Sequence, residues 1–397
     1  MKRIKTAELI PGYVLAEDVY NFNGQMILPK GMILTDKVIT RLEFYSILSV
    51  RVEDETEPVP SDSDDSADVN IEANEKPTEP INEPTNPPKA SVSTPQIQTK
   101  TNPEETPHSE IIKQSQEFKK FQATFDDTLT DFKSSINNIV ELNSPIRTDD
   151  LLNNTRELIE QSRNSSFSTM DMLANMRQYD DLTFAHSMNV SLICNVFAGW
   201  LHMSEEETDL LTLCGMLHDL GKLKIPDTII KKPAKLTNDE YALVKTHTIE
   251  GFHILKAQNV DPHISNAALM HHEKCDGSGY PLGLTADKID KYAKIVAIVD
   301  VYDAMTSARI YRGPMCPYRV IELYENEGLQ KYDAQFILTF LENVSNTYLH
   351  YTVKLSDGRT GRIIFINRNN LSKPIVQCGH EMVDLSQCHD LHVDCIL

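Results

Sequence analysis

Residues 210–227 read LLTLCGMLHDLGKLKIPD, and the composition of this stretch decides the fold. Its first half is apolar at three- and four-residue spacing, the pattern of a helix with a buried face. At the C-terminal turn the chemistry changes, with His218 beside Asp219 and then Gly221 and Lys222. A histidine satisfied by a neighbouring carboxylate is common in cores, so the pair alone does not separate a structural role from a chemical one. Burying an imidazole, a carboxylate and an ammonium together is costly unless something joins them. The rest of the chain has to supply that reason.

Outward from this stretch, about 149 to 345, the chain reads as helix after helix. Segments such as HSMNVSLICNVFAGWLHM (186–203), NDEYALVKTHTIEGFHILKA (238–257) and YAKIVAIVDVYDAMTSA (292–308) repeat the same spacing, with no run of strands between them. The expectation is an all-α bundle. Upstream, Phe118, Phe125, Phe132 and Ile139 recur every seven residues, with Phe121, Leu129 and Ile136 beside them. This stripe, within residues 111–148, predicts a helical connector that either pairs two protomers as a coiled coil or packs on the helical region that follows; a homodimer through it is the expectation.

The two ends differ. Residues 1–52 alternate apolar positions with Gly and Pro punctuation, predicting short strands and one helix in a small α+β module. Residues 53–110 hold fifteen Asp and Glu against three Lys, and ten of the chain's twenty prolines. With so few large apolar groups this segment cannot offset its chain entropy by burial and is expected to be a disordered acidic linker. Residues 346–397 switch period again: YTVKLSDGRTGRIIFIN (351–367) is two β-rich runs about an Asp-Gly turn, a hairpin signal, and KPIVQ and HEMVDLS add strands to a small β-rich extension capping the bundle.

A formal charge of −20 argues against general nucleic-acid binding, which needs a positive field against phosphate. Seven cysteines without CxxC pairing suit reduced, intracellular thiols. The first residues lack the apolar core of a signal peptide, and the longest apolar stretch, VSLICNVFAGWL (190–201), is shorter than the ~20 residues of a spanning helix. A cytoplasmic protein without a membrane span is expected.

Eight of the thirteen histidines fall between 186 and 272. His271 and His272 are adjacent at a helix end, and neighbours on a helix point about 100° apart, so both cannot face one core. His186, His218, Asp219, His247, His271, His272 and Asp300 all sit on or at the end of expected helices among apolar residues. A pair of divalent cations would join so many buried polar groups. Imidazoles with only two carboxylates suit iron, manganese or zinc better than magnesium or calcium. His202, His253 and His263 fall outside any pattern and are read as isolated histidines.

Residues 178–340 resemble the HD-GYP domain, a branch of the HD metallophosphohydrolases that hydrolyses cyclic di-GMP in bacteria. The resemblance is carried by DDLTFAHSMNV (180–190), LHDLGKLKIPDTIIKKPAKLT (217–237), VKTHTIEG (244–251), HHEKCDGSGYPLGL (271–284) and AIVDVYDAMTSARIYR (297–312). It implies an HD-type helical bundle over 149–345 and places two divalent ions, iron or manganese first with zinc, nickel or cobalt as alternatives, on the seven His and Asp positions above. Asp219 falls at the bridging carboxylate, and Lys222 at the lysine of the HDxGK pattern as a catalytic group. Gly279, Tyr280 and Pro281 spell the GYP loop and, with Asp180, Asp303, Arg309 and Arg312, fall at substrate-binding positions. Some members carry a glutamate four residues before the first histidine for a third metal; Leu182 stands there and favours two. Residues 1–52 resemble a small region often attached to such domains and are read as regulatory.

What the resemblance implies is a phosphodiesterase in which a hydroxide shared by two ions attacks phosphorus, cutting cyclic di-GMP to pGpG and in a second cut to GMP. The alternatives are a phosphodiesterase for another cyclic dinucleotide such as cyclic GMP-AMP, or a receptor or scaffold that binds the nucleotide or a cyclase without cutting.

Overall fold

The computed structural model of the 397-residue chain describes residues 2–5, 9–10, 12–20, 26–34, 42, 49–53, 108–142, 144–176, 182–232, 234–307, 314–388 and 390–397. Two compact units divide it, Met1–Glu105 and Thr106–Leu397.

In the first unit, β1 (Lys2–Lys5) pairs antiparallel with β4 (Ser49–Val52), and β2 (Val19–Tyr20) with β3 (Met26–Leu28). Alternation turns Ile4, Leu15, Leu28, Val50 and Val52 into one small core. Apart from Leu42, the expected helix of this module lies outside the described residues, as does nearly all of the acidic linker.

The second unit opens with α1 (His108–Gln114) and α2 (Gln116–Leu142). Ser115 caps α2, its hydroxyl accepting from Phe118 N at 3.0 Å. The phenylalanine stripe is buried by the chain itself: Phe118, Phe121, Phe125, Phe132, Ile136 and Ile139 join the core of the unit, and Phe132 meets Phe184 edge-on at 5.9 Å. The seam therefore packs on the helices of its own chain, the second of the two readings the stripe allowed.

The bundle continues through α3 (Thr148–Arg163), α4 (Thr169–Ala174), α5 (Leu182–Trp200) and α6 (Glu205–Leu217). Reciprocal capping boxes, Ser168 with Asp171 and Ser204 with Glu207, start α4 and α6. A 3₁₀ turn (Leu220–Lys224) leads to α7 (Asp227–Ile230), α8 (Asn238–Lys245), α9 (His247–Ala257) and α10 (Pro262–Met270). After the long loop 271–290 come α11 (Lys291–Thr306), α12 (Pro317–Leu323), a π turn (Tyr324–Gly328), α13 (Leu329–Lys331) and α14 (Ala334–Thr347). Among the described residues no helix is long and apolar enough to cross a membrane.

The chain closes with five antiparallel strands: β5 (Thr352–Leu355), β6 (Thr360–Phe365), β7 (Ile375–Cys378), β8 (Glu381–Asp384) and β9 (Val393–Ile396), in the order β8-β7-β6-β5-β9. The Asp-Gly hairpin forms as its residues require, with Gly358 at φ +90°. Val353, Leu355, Ile363, Val376 and Val393 belong to the same core as the helices, so the sheet covers one side of the bundle.

Candidate metal centre and cleft

His218 ends α6, His247 begins α9, and His271 and His272 follow α10. Three of these rings are oriented by the backbone of the preceding turn. Nδ1 of His218 meets Gly215 O at 2.8 Å, Nδ1 of His247 meets Val244 O at 2.6 Å, and Nδ1 of His271 meets Ala267 O and Ala268 O at 3.0 Å. A carbonyl can only accept, so each Nδ1 carries the proton and each Nε2 lone pair is directed inward. The helix ends therefore fix tautomer as well as position.

Asp219 lies among those lone pairs. Its Oδ1 is 3.4 Å from His247 Nε2 and 3.7 Å from His271 Nε2, while its Oδ2 is 3.3 Å from His218 Nε2 and 3.7 Å from His186 Nε2. The two oxygens thus face two different groups of imidazoles. Lys222, one turn on, pairs with Oδ2. Asp300 on α11 adds the second carboxylate, 3.0 Å from His186 Nε2 and 3.8 Å from both His218 Nε2 and His272 Nδ1.

Three ligand groups follow, each with donor atoms within 4.8 Å of one another: His247, His271 and His272; His186, His218 and Asp300; and His218, Asp219 and His271. His218 Nε2 and Asp219 Oδ1 are fully buried and have no hydrogen-bond partner among the described residues. Buried acceptors left without partners cost stability, and one cation between them would satisfy both. The residues fit a divalent transition metal, nitrogen-rich with ionised carboxylates.

Protonation states agree with that fit. Burial pushes His247 and His271 below the ordinary imidazole range and brings His272 down to about 3. Asp219 and Asp300 are held well below the usual carboxylate range: burial opposes this, but Lys222 and His218 at Asp219, and His186 and His272 at Asp300, outweigh it. His186 is the exception. Burial lowers it, yet its hydrogen bonds to Asp300 and Asp303 raise it to about 9.

Asp303, expected among substrate contacts, backs His186 and also lines the cleft described below. Its Oδ2 meets His186 Nδ1 at 2.7 Å, and its Oδ1 accepts from Asn189 Nδ2 at 3.1 Å and Ser307 Oγ at 2.9 Å. Saturated in this way, the carboxylate orients an imidazole. The GYP loop likewise packs on the centre. The Tyr280 ring lies 4.7 Å from that of His272 and only 31° off parallel, and Pro281 follows it across a cis peptide. A Cβ at Gly279 would lie 2.4 Å from Glu273 Cα and Lys274 N, so only glycine lets the loop lie against that strand of backbone.

Glu273, not singled out by the sequence, holds this loop. It is 2 % exposed, and its two carboxylate oxygens accept Leu282 N at 2.7 Å and Leu284 N at 2.9 Å. A glutamate beside paired histidines and ahead of a Gly-rich loop was the available signal. Asp180, Arg309 and Arg312 lie outside the described residues. His263 pairs with Asp290 at 2.7 Å, apart from the cluster, in keeping with its reading as an isolated histidine. All seven cysteines are free thiols.

A cleft of about 670 Å³ opens beside the centre. His186, Asn189, Lys222 and Asp303 border it on one side, and Lys232 and Leu236 form part of its rim.

Residues 149–336 match the HD domain family. The chain is 33% identical over 207 residues to a cyclic di-GMP phosphodiesterase of Pseudomonas aeruginosa, covering 52% of this chain and 50% of that protein. It is 35% identical over 179 residues to a 3'3'-cGAMP-specific phosphodiesterase of Vibrio cholerae, covering 45% of this chain and 41% of that one. An HDG"Y"P protein from Bdellovibrio bacteriovorus superposes with a TM-score of 0.49 at 15% identity, over 86% of this chain and 99% of that chain. The chain spans about half the length of the curated relatives it matches.

Proposed function

We propose that this protein is a two-metal phosphodiesterase that linearises cyclic di-GMP to pGpG. The observation that carries the reading is Asp219, whose two oxygens face separate imidazole groups while Oδ1 and His218 Nε2 have no hydrogen-bond partner among the described residues. His247, His271 and His272 with Asp219 would hold one ion, and His186, His218 and Asp300 with Asp219 the other. When bound, the ions supply Lewis acidity toward the phosphate and acidify water toward neutral pH. Iron or manganese is the pair we expect. Asp303 keeps the His186 ring in place, and Glu273 keeps Tyr280 against His272. Water adds its oxygen to phosphorus, the P–O3' bond breaks, and the departing O3' takes up a proton; Lys222, on the rim of the cleft, is the nearby ammonium for the phosphate charge.

Metal analysis and product chromatography on anaerobically prepared protein test this. Two ions per chain and conversion of cyclic di-GMP to pGpG are expected. Bound metal and nucleotide without product would instead favour a receptor, and preferential cutting of cyclic GMP-AMP would move the substrate to that of the Vibrio cholerae relative.

Ligation needs neutral His186, whereas without metal the ring keeps its proton up to about pH 9. Loading therefore expels a proton, so apparent metal affinity should climb ~10-fold per pH unit below that value and level off above it. Calorimetry in buffers of different ionisation enthalpy measures the release; a pH-independent affinity would remove His186 from the ligand set. Arg309→Ala is expected to raise KM for cyclic di-GMP about tenfold, the loss of one charge-assisted phosphate contact, with metal content unchanged. An unaltered KM would take Arg309 out of the substrate site.

A further inference from the structure

The cleft extends beyond the metal centre, and part of its lining comes from residues outside the 149–336 match. His108 and Ile112 of α1, Met170 of α4, and Tyr351 and Ile396 of the β extension line it there. The wall is fixed. The Tyr351 hydroxyl donates to Asp171 Oδ1 at 2.6 Å, and Asp171 is itself locked in the capping box that starts α4.

At this wall the rings of His108 and Tyr351 lie 4.1 Å apart at 47°, with Phe167 5.9 Å from His108. Flat aromatic surface with aliphatic sides is the chemistry on which a nucleobase stacks. A cleft of about 670 Å³ falls within the ~300–1,000 Å³ range of sites that enclose a small-molecule ligand. A base at this wall can therefore belong to the same molecule as a phosphate at the metals.

Building on the phosphodiesterase reading, we infer that His108 and Tyr351 form a purine subsite for the substrate's second nucleotide. Specificity among cyclic dinucleotides is then set by segments that the HD domain does not itself contain. His108 also begins the first helix after the acidic segment, so the same wall lies where the chain enters this unit.

The test is steady-state kinetics of the metal-loaded full chain on two substrates: cyclic di-GMP, and methyl p-nitrophenyl phosphate, a diester too short to reach from the metals to the wall. His108→Ala is expected to raise KM for cyclic di-GMP about tenfold, the loss of one stacked base, while kcat and KM for the short diester stay as in the parent. Tyr351→Ala should behave alike and Tyr351→Phe, which keeps the ring, should retain the parent KM. If the parent cuts both substrates and neither alanine variant changes KM for the dinucleotide, or both substrates suffer equally, the subsite is overturned and the phosphodiesterase reading stands. If the parent cuts neither, both fall together.

Discussion

Replacing Asp219 with alanine is expected to leave the protein unable to retain either ion, and to lower turnover by three decades or more. The argument is geometric. Each oxygen of this carboxylate faces a different set of imidazoles, so its loss removes a ligand and a neutralising charge from both positions at once. Losing metal-based charge stabilisation of about 4 kcal/mol at the transition state corresponds to a factor of ~10³ in rate. Asp219→Asn, which preserves volume, should show the same loss, because an amide cannot supply the negative charge. Metal content and turnover are measured on the same sample. Two ions still bound in both variants would mean that the carboxylate is no shared ligand, and the two-metal reading would fail.

The second large effect falls on a residue with no functional group. A Cβ at Gly221 would sit 1.9 Å from the His247 carbonyl oxygen and 2.5 Å from Gly251 N, both backbone atoms of α9. The 3₁₀ turn that carries Lys222 can lie against that helix only without a side chain. Gly221→Ala must push the two apart, at a cost of about 3 kcal/mol or more. For a unit of this size that lowers Tm by roughly 6–12 °C. Because Asp219 and His247 move with the two segments, metal retention should fall as well. Gly199, inside α5 with nothing within 4 Å of its would-be Cβ, is the matched control: there alanine should raise stability by up to about 1 kcal/mol. Equal Tm values for the two variants would show that the close approach at Gly221 carries no weight.

Much of the cluster was legible in the sequence because His218, Asp219, His247, His271 and His272 sit at or next to helix ends, where short motifs keep fixed local geometry. His218 and Asp219 are adjacent, as are His271 and His272, and the Asp-Gly turn between β5 and β6 is set by its own residues. The role of Asp303 was less accessible. Asp300 and Asp303 are one helical turn apart on the same face of α11, but only the fold brings both to the opposite nitrogens of one imidazole on α5. Glu273 was hidden for a related reason, since its partners are backbone amides that leave no mark on composition. The pairing of His108 with Tyr351 joins residues far apart in the chain, and no periodicity reports such a contact. The phenylalanine stripe was visible as a stripe, yet a seven-residue repeat is silent on whether its cover comes from a partner or from the same chain.

That last feature bears on where the protein can be cut. Recognition by kinship begins at residue 149, but α2 inserts its aromatic face into the helices that follow. A fragment started at the kinship boundary would leave a raw greasy trough where Phe118, Phe121, Phe125 and Phe132 had been, and such surfaces drive clumping. The matched stretch and the packed unit are different lengths of chain.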